Sequence, residues 1–163
     1  MIRADGKKAK PAIGWREWVS LPDLGIEAVK AKVDTGARTS SLHAFEVETY
    51  LRFDGKEIVR FKVHPFQKDT AESVEAEAEL VGARLVRSSS GREEIRPLIA
   101  TTIELLGRRW PIELTLASRD SMGFRMLLAR QAVRGEFLVD PGRSFLAGKP
   151  PSVRARRRRK ANR

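Results

Sequence analysis

The chain has no cysteine, two histidines and one tyrosine, and no apolar run that approaches the roughly 20 residues needed to cross a bilayer. Without cysteine there is no disulfide, no thiolate nucleophile and no sulfur ligand, and the chain is indifferent to the redox state of its compartment. His43 is followed by Ala44-Phe45-Glu46 and His64 by Pro65-Phe66-Gln67, so neither begins a His-Glu-x-x-His metal motif. A zinc site would require both histidines and a carboxylate such as Asp34 to converge in space, and we expect no metal. Gly-rich phosphate loops of the P-loop, kinase and dinucleotide types are also missing, so no nucleotide cofactor is expected. The basic first residues are not followed by the apolar stretch of roughly 7–15 residues that a secretory signal needs. A cytoplasmic protein that does not enter a membrane is the expectation.

What is abundant is positive charge, +11 in 163 residues, but it is unevenly placed. Residues 151–163 contribute seven basic side chains and no acid, and residues 1–10 contribute four basic side chains and Asp5, which leaves the middle at about +1. Blocks of like charge repel and bury nothing, so residues 1–11 and 149–163 are expected to be disordered basic tails around one domain at 12–148. The Arg154–Arg163 tail can neutralise phosphates in a salt-dependent way, which implies loose attraction to nucleic acid or to the ribosome. No aromatic residue is interleaved with its arginines to stack on bases.

The middle reads as short strands separated by turn chemistry. Runs at 13–19, 26–33, 42–53 and 56–63 are divided by Leu21-Pro22-Asp23-Leu24-Gly25, by the segment after Val33 and by Asp54-Gly55, the strongest hairpin signal present. His64-Pro65 should end the fourth run. The acidic stretch 69–79 reads as a loop or edge strand. Further runs at 82–87, 94–102, 103–106 and 110–116 surround a polar tip at Ser88-Ser89-Ser90-Gly91 and a turn at Gly107-Arg108-Arg109. Residues 129–134 form the one short helix, with Gly135 where a C-terminal cap belongs. The pattern predicts an all-β fold, a small closed barrel with one short helix.

The segment Lys32-Val33-Asp34-Thr35-Gly36-Ala37-Arg38-Thr39-Ser40 places a carboxylate at the end of a strand, directly before a glycine turn. Aspartic peptidases present their catalytic group this way. Two carboxylates share one proton, one acting as base toward water while its protonated partner polarises the scissile carbonyl. Thr35 can hydrogen-bond the turn, and Gly36 allows the backbone to approach the carboxylate and donate to it. The other aspartates, at 5, 23, 54, 69, 120 and 140, are not followed by Thr-Gly or Ser-Gly. A second carboxylate must therefore come from a second copy, with Asp34 facing Asp34 across a twofold axis.

The run AKVDTGARTSSLHA over residues 31–44 resembles the signature of a bacterial family of retropepsin-like proteins commonly named ATP-dependent zinc proteases. The likeness extends through Ile13-Gly14-Trp15-Arg16-Glu17, Leu21-Pro22-Asp23-Leu24-Gly25, Ser90-Gly91-Arg92, Met126-Leu127-Leu128-Ala129-Arg130 and Phe137-Leu138-Val139-Asp140-Pro141. It implies a retropepsin-like acid-protease barrel, a homodimer with its interface near the active-site turns, and Asp34, Thr35 and Gly36 as the catalytic turn. It further implies a mobile flap at 88–92, with Ser89, Ser90 and Gly91 against a peptide or protein substrate. Members often occur beside ligases that add glutamate to ribosomal proteins, which implies a related processing role. The residues themselves support neither the zinc nor the ATP of the family's name. Ala129 stands where the family usually has glycine, a methyl that could disturb packing behind the turn.

Several residues carry two readings. Arg38 can lower the pKa of Asp34 or bind an acidic substrate group, or it can be a solvated loop arginine. His43 is a groove residue or a satisfied core histidine. Thr39, Ser40 and Ser41 lack the base that a serine hydrolase needs. Trp15 and Trp18, three apart on one expected strand, should face opposite sides, leaving one for a dimer contact. The alternative for the whole chain is a non-catalytic β-barrel module that binds a peptide or ribosomal component, aided by its basic tails.

Overall fold

Alternation of apolar and polar side chains drives most of the chain into strands. The computed structural model describes residues 8–66, 72–87, 90–118, 123–149, 158–159 and 161–162. Its elements are β1 (Ala12–Ile13), β2 (Arg16–Leu21), a 3₁₀ turn (Pro22–Leu24), β3 (Ile26–Asp34), β4 (Ser40–His43) and β5 (Phe45–Leu51). They continue with β6 (Glu57–Val63), β7 (Val74–Arg87), β8 (Glu93–Leu105), β9 (Arg108–Ala117), β10 (Met126–Ala129), α1 (Arg130–Val133) and β11 (Leu138–Val139). Among the described residues 8–149 the fold is all-β with one short α-helix, as the turn pattern predicts.

The main sheet has the order β2-β3-β10-β4-β9-β8-β7-β6-β5, and β2 also pairs with β8 through Ser20 and Glu104. That bridge closes β2, β3, β10, β4, β9 and β8 into a ring, from which β7, β6 and β5 continue as an extension. A separate parallel pair joins β1 to β11. Inside the ring lie Val29, Ala31 and Val33 of β3, Leu42 of β4, Leu114 of β9 and Leu128 of β10, all in one buried cluster. No helix among the described residues is long and apolar enough to cross a membrane.

Three boundaries differ from the sequence expectation. Of the two expected readings of the acidic stretch, loop or edge strand, it is a strand from Val74 onward: the first half of the 14-residue β7, paired with β6 over 74–79, while β7 pairs with β8 from Leu80. Ala76 is buried on one face while Glu75, Glu77 and Glu79 point outward to Arg60 and Lys56 of β6. Alanine has little strand preference, which hides the alternation, and the cations that offset the acidic side lie on another strand. The runs 94–102 and 103–106 are one strand, β8, and its turn to β9 is Leu106-Gly107, both in the left-handed region. The first run is broken at Gly14. A Cβ there would lie 2.2 Å from the Arg143 carbonyl oxygen, which accepts the Trp15 N–H at 2.8 Å. Trp15 therefore precedes β2 instead of alternating along it. Trp18 is buried and Trp15 half-buried, so neither is the exposed tryptophan expected for a dimer contact.

Candidate active site

Asp34 is the last residue of β3, half-buried, and its carboxylate is set by the turn that follows. Oδ1 accepts the N–H of Gly36 at 2.9 Å and that of Ala37 at 3.3 Å. A Cβ on Gly36 would stand 3.1 Å from the same oxygen, so glycine permits this approach. The Ala37 N–H also reaches the Asp34 carbonyl at 3.3 Å. The carboxylate thus receives two backbone donors on one oxygen, an arrangement that fixes its orientation.

The turn is in turn held by the β10–α1 junction. Ala129 pairs with Asp34 in the parallel β3–β10 ladder, and its N–H donates to Ser40 Oγ at 2.9 Å. Arg130 N–H donates to the Ala37 carbonyl at 2.9 Å, Gln131 N–H to the Arg38 carbonyl at 3.2 Å, and the Arg130 guanidinium to the Thr35 carbonyl at 3.0 Å. The first N–H groups of a helix lack partners within it, and here two of them are used to position the loop. Ala129 is fully buried in this junction, and the bonds on either side of it are formed, so its methyl is accommodated.

The other sequence-derived candidates fall as follows. Thr35 and Gly36 are exposed; Thr35 contributes its carbonyl, and no hydroxyl bond appears among the described residues. Arg38 is exposed on the loop and forms no ion pair among the described residues. Ser90 and Gly91 are exposed at the tip of the β7–β8 hairpin, with Gly91 at φ +82°; Ser89 lies outside the described residues, as does most of the Arg154–Arg163 segment. Tip and turn are carried by separate elements, the β7–β8 hairpin and the end of β3. Below the tip, Arg87 and Glu93 pair across the strands at 2.7 Å. Burial pushes the Glu94 carboxyl up, but hydrogen bonds from Ser118 and Arg96 outweigh it and hold the group below its usual range.

Both imidazoles have protein partners. Arg125 can only donate, so the bond between its Nη1 and His43 Nδ1 at 3.4 Å makes Nδ1 an acceptor, and Nε2–H then donates to the Ser118 carbonyl at 3.1 Å. His64 Nδ1 contacts the Glu72 carbonyl at 3.0 Å while its ring stacks on Phe45 at 4.3 Å. Among the described residues no three His, Asp or Glu side chains are grouped as metal ligands.

Reasoning from sequence missed the roles of Ser40, weighed there only as a nucleophile, and of Arg130. It also missed the face on which Asp34 lies. Side chains alternate along β3, so Lys30, Lys32 and Asp34 share the outer face while Val29, Ala31 and Val33 fill the barrel. The register continues the Lys32 rung through Arg16 of β2, Leu127 of β10 and Ser41 of β4. The alternation of Val29-Lys30-Ala31-Lys32-Val33-Asp34 was the available signal.

Comparison with known proteins gives three kinds of likeness. Residues 12–150 match the family model described as RimB-like, retropepsin-like aspartic endopeptidase RimB. A probable alpha-L-glutamate ligase of Desulfotalea psychrophila is 47% identical over 133 residues, 82% of this chain but 28% of that protein. One of Parasynechococcus marenigrum is 47% identical over 139 residues, 85% of this chain and 30% of its own. The chain thus spans about three tenths of the length of the curated relatives it matches. None of these names is that of an ATP-dependent zinc protease, which corrects the label implied by the sequence resemblance. The crystal structure of a Legionella pneumophila protein of unknown function superposes with a TM-score of 0.70 at 26% identity, covering 85% of this chain and 99% of that one. With the Asp34 turn built on this barrel and residues 12–150 matched, the protein belongs to the RimB-like family of retropepsin-like aspartic endopeptidases.

Proposed function

We propose that the chain is a homodimeric aspartic peptidase that hydrolyses peptide or amide bonds, each subunit supplying one Asp34. The observation that carries this is the Asp34 carboxylate, oriented by the Gly36 and Ala37 amides at a strand end, with no second such turn in the sequence. Across a twofold axis the two carboxylates would stand about 3 Å apart and share one proton. The ionised one takes a proton from water as its oxygen bonds to the carbonyl carbon, while the protonated one gives its proton to the carbonyl oxygen. Return of a proton to the amide nitrogen then lets the C–N bond break, releasing an amine and a carboxylic acid.

The β7–β8 hairpin is suited to close over the substrate. Leu85 and Ile95 are registered opposite each other, and Ile95 alternates onto the same face as buried Ile99 and Ile103, yet they are 64% and 74% exposed. Such an apolar underside gains most from an occupant. We read the substrate as a peptide or protein bearing glutamate, because the long relatives are named as glutamate ligases and a hydrolase of the same bond class would act on a ligase's product. A cytoplasmic setting and weak attraction to nucleic acid or the ribosome through the Arg154–Arg163 tail accord with this reading.

The second reading, a non-catalytic binding module, draws support from the segment's occurrence inside longer proteins named as ligases. Mixing separates them. Asp34→Asn should lower hydrolysis by at least about a thousandfold, and after subunit exchange an equal mixture with wild type should keep about a quarter of the activity of undiluted wild type, since only a quarter of dimers carry two carboxylates. Independent subunits would keep about half, and an active Asp34→Asn protein would leave the binding module.

A further inference from the structure

The nine-stranded order has one end that the fold closes and one that it leaves open. β2 is bridged to β8 through Ser20 and Glu104, whereas β5, at the other end, pairs with β6 and with no further strand among the described residues. Every residue from Glu46 to Leu51 is exposed. The Arg52 N–H donates to the Lys56 carbonyl at 2.9 Å, so alternation along the regular ladder from Glu48 to Leu51 turns the peptide groups of Glu48 and Tyr50 toward β6 and those of Thr49 and Leu51 away from it. An open edge is a template for another strand, and proteins commonly blunt it with proline, lysine or a bulge. β5 contains neither proline nor lysine, and its bulge lies at the start, between Phe45 and Glu48, with Glu46 at φ +50°. Past it, Thr49-Tyr50-Leu51 is uncharged and suited to a strand.

Of the nine large apolar side chains that stand exposed among the described residues, four belong to this hairpin: Val47, Tyr50, Leu51 and Phe53, the last 99% exposed. What can cover them is narrowed by the strand's own symmetry. In an antiparallel pair about a twofold axis through Thr49, Thr49 faces its copy, Val47 faces Leu51 and Glu48 faces Tyr50, so apolar meets apolar and the outward peptide groups of Thr49 meet each other. At the ends, Glu46 meets Arg52 of the second copy. Each is already ion-paired in its own chain, Glu46 with Lys62 at 2.7 Å and Arg52 with Asp54 at 2.7 Å, so the meeting makes a row of four charges that alternate in sign. The neighbouring registers are poorer. An axis at Glu48 opposes two carboxylates, and an axis at Tyr50 leaves only residues 49–51 of the strand paired. An axis between residues sets an outward peptide group against an inward one.

We infer that the β5 edge is an interface between two copies of this chain, paired antiparallel about Thr49 so that their sheets run on as one. The contact is isologous, the same patch on both copies. It is distinct from a meeting of Asp34 turns, since Asp34 ends β3 inside the closed ring and β5 is the free end of the extension. A chain that makes both contacts assembles beyond the dimer. With one short strand from each copy, the contact is of the small, concentration-dependent kind.

Because the chain has no cysteine, single substitutions in the full chain report the register directly. The two Thr49 Cα atoms would lie about 5.5 Å apart, within the roughly 4.4–6.8 Å that a disulfide spans, and the two Leu51 Cα atoms about 13 Å apart. Under mild oxidation Thr49→Cys should crosslink between copies at least about tenfold faster than Tyr50→Cys, Leu51→Cys or Phe53→Cys, the last being the measure of random collision. Val47→Cys and Leu51→Cys should crosslink when mixed and not alone. Sedimentation of the unsubstituted chain should show a doubling of mass with concentration that Leu51→Lys removes, whether the starting unit is one chain or an Asp34-paired dimer. Glu46→Arg should weaken that step about tenfold, and Arg52→Glu added to it should restore the step. Crosslinking that is equal at all four positions or fastest at Phe53, a mass that does not double, or a doubling that survives Leu51→Lys would overturn the inference. A Thr49→Cys chain that crosslinks to another protein and not to its own copy would give the edge to a different partner and overturn it as well.

Discussion

Ser40 Oγ accepts the Ala129 N–H at 2.9 Å inside the barrel, so the strand that pairs with Asp34 is bolted to the end of the loop that begins at Asp34. Both residues are buried. The bond closes a loop of the chain whose other fastenings are Arg130 and Gln131 on the Ala37 and Arg38 carbonyls.

Ser40→Ala leaves the Ala129 N–H buried without its acceptor. Equilibrium urea unfolding should show a loss of about 1–3 kcal/mol. If the loop orients Asp34 as described, hydrolysis should fall by more than the folded fraction does.

Gly14 and Gly107 make a matched pair. At Gly14 a methyl group meets the Arg143 carbonyl oxygen at 2.2 Å, and backbone must move; Gly14→Ala should cost about 3 kcal/mol or more. Gly107 sits at φ +71° with nothing within 4 Å of an added Cβ, so Gly107→Ala carries only the left-handed strain, about 1 kcal/mol. Thermal melting should separate the two variants clearly, and equal shifts would contradict the geometry.

Glu17 is fully buried, and its carboxylate accepts three backbone N–H groups, from Gly14 at 2.7 Å and from Leu146 and Ala147 at 3.0 Å. Glu17→Gln keeps the shape but replaces one accepting oxygen with a donor that faces N–H groups. A loss of about 2–4 kcal/mol is expected, with amide exchange at 146–147 rising more than in β3.

Asp54 gives a pH signature. The Arg52 guanidinium, 2.7 Å away, and the Lys56 N–H lower its pKa from 3.8 to about 2. A carboxyl lowered on folding stabilises the fold fully above its unfolded value and loses that contribution as pH falls through the folded one. The hairpin contribution should therefore be intact down to about pH 4 and vanish toward pH 2, as a carbon-detected titration of Asp54 would follow. Arg52→Ala should move that midpoint up.

The sequence by itself determined the features whose causes are local. Asp34-Thr35-Gly36 needs only a glycine two residues on for the amide to reach the carboxylate, and Asp54-Gly55 and Gly135 need only a left-handed residue, at φ +84° and +83°. The all-β class followed from alternation and turns. What only the tertiary structure decided is which distant strands lie side by side. The parallel pairings of β3 with β10 and of β4 with β9 join residues more than seventy positions apart, and the first of them sets Leu127 beside Lys32 and Ala129 beside Asp34, where the Ala129 N–H meets Ser40 Oγ. The single bridge from Ser20 to Glu104 that closes the ring, and the reach of Glu17 to Leu146 and Ala147, belong to the same class. The reason is physical: a turn is fixed by its own φ and hydrogen bonds, whereas a register is selected by the burial of every face at once, which no single segment encodes.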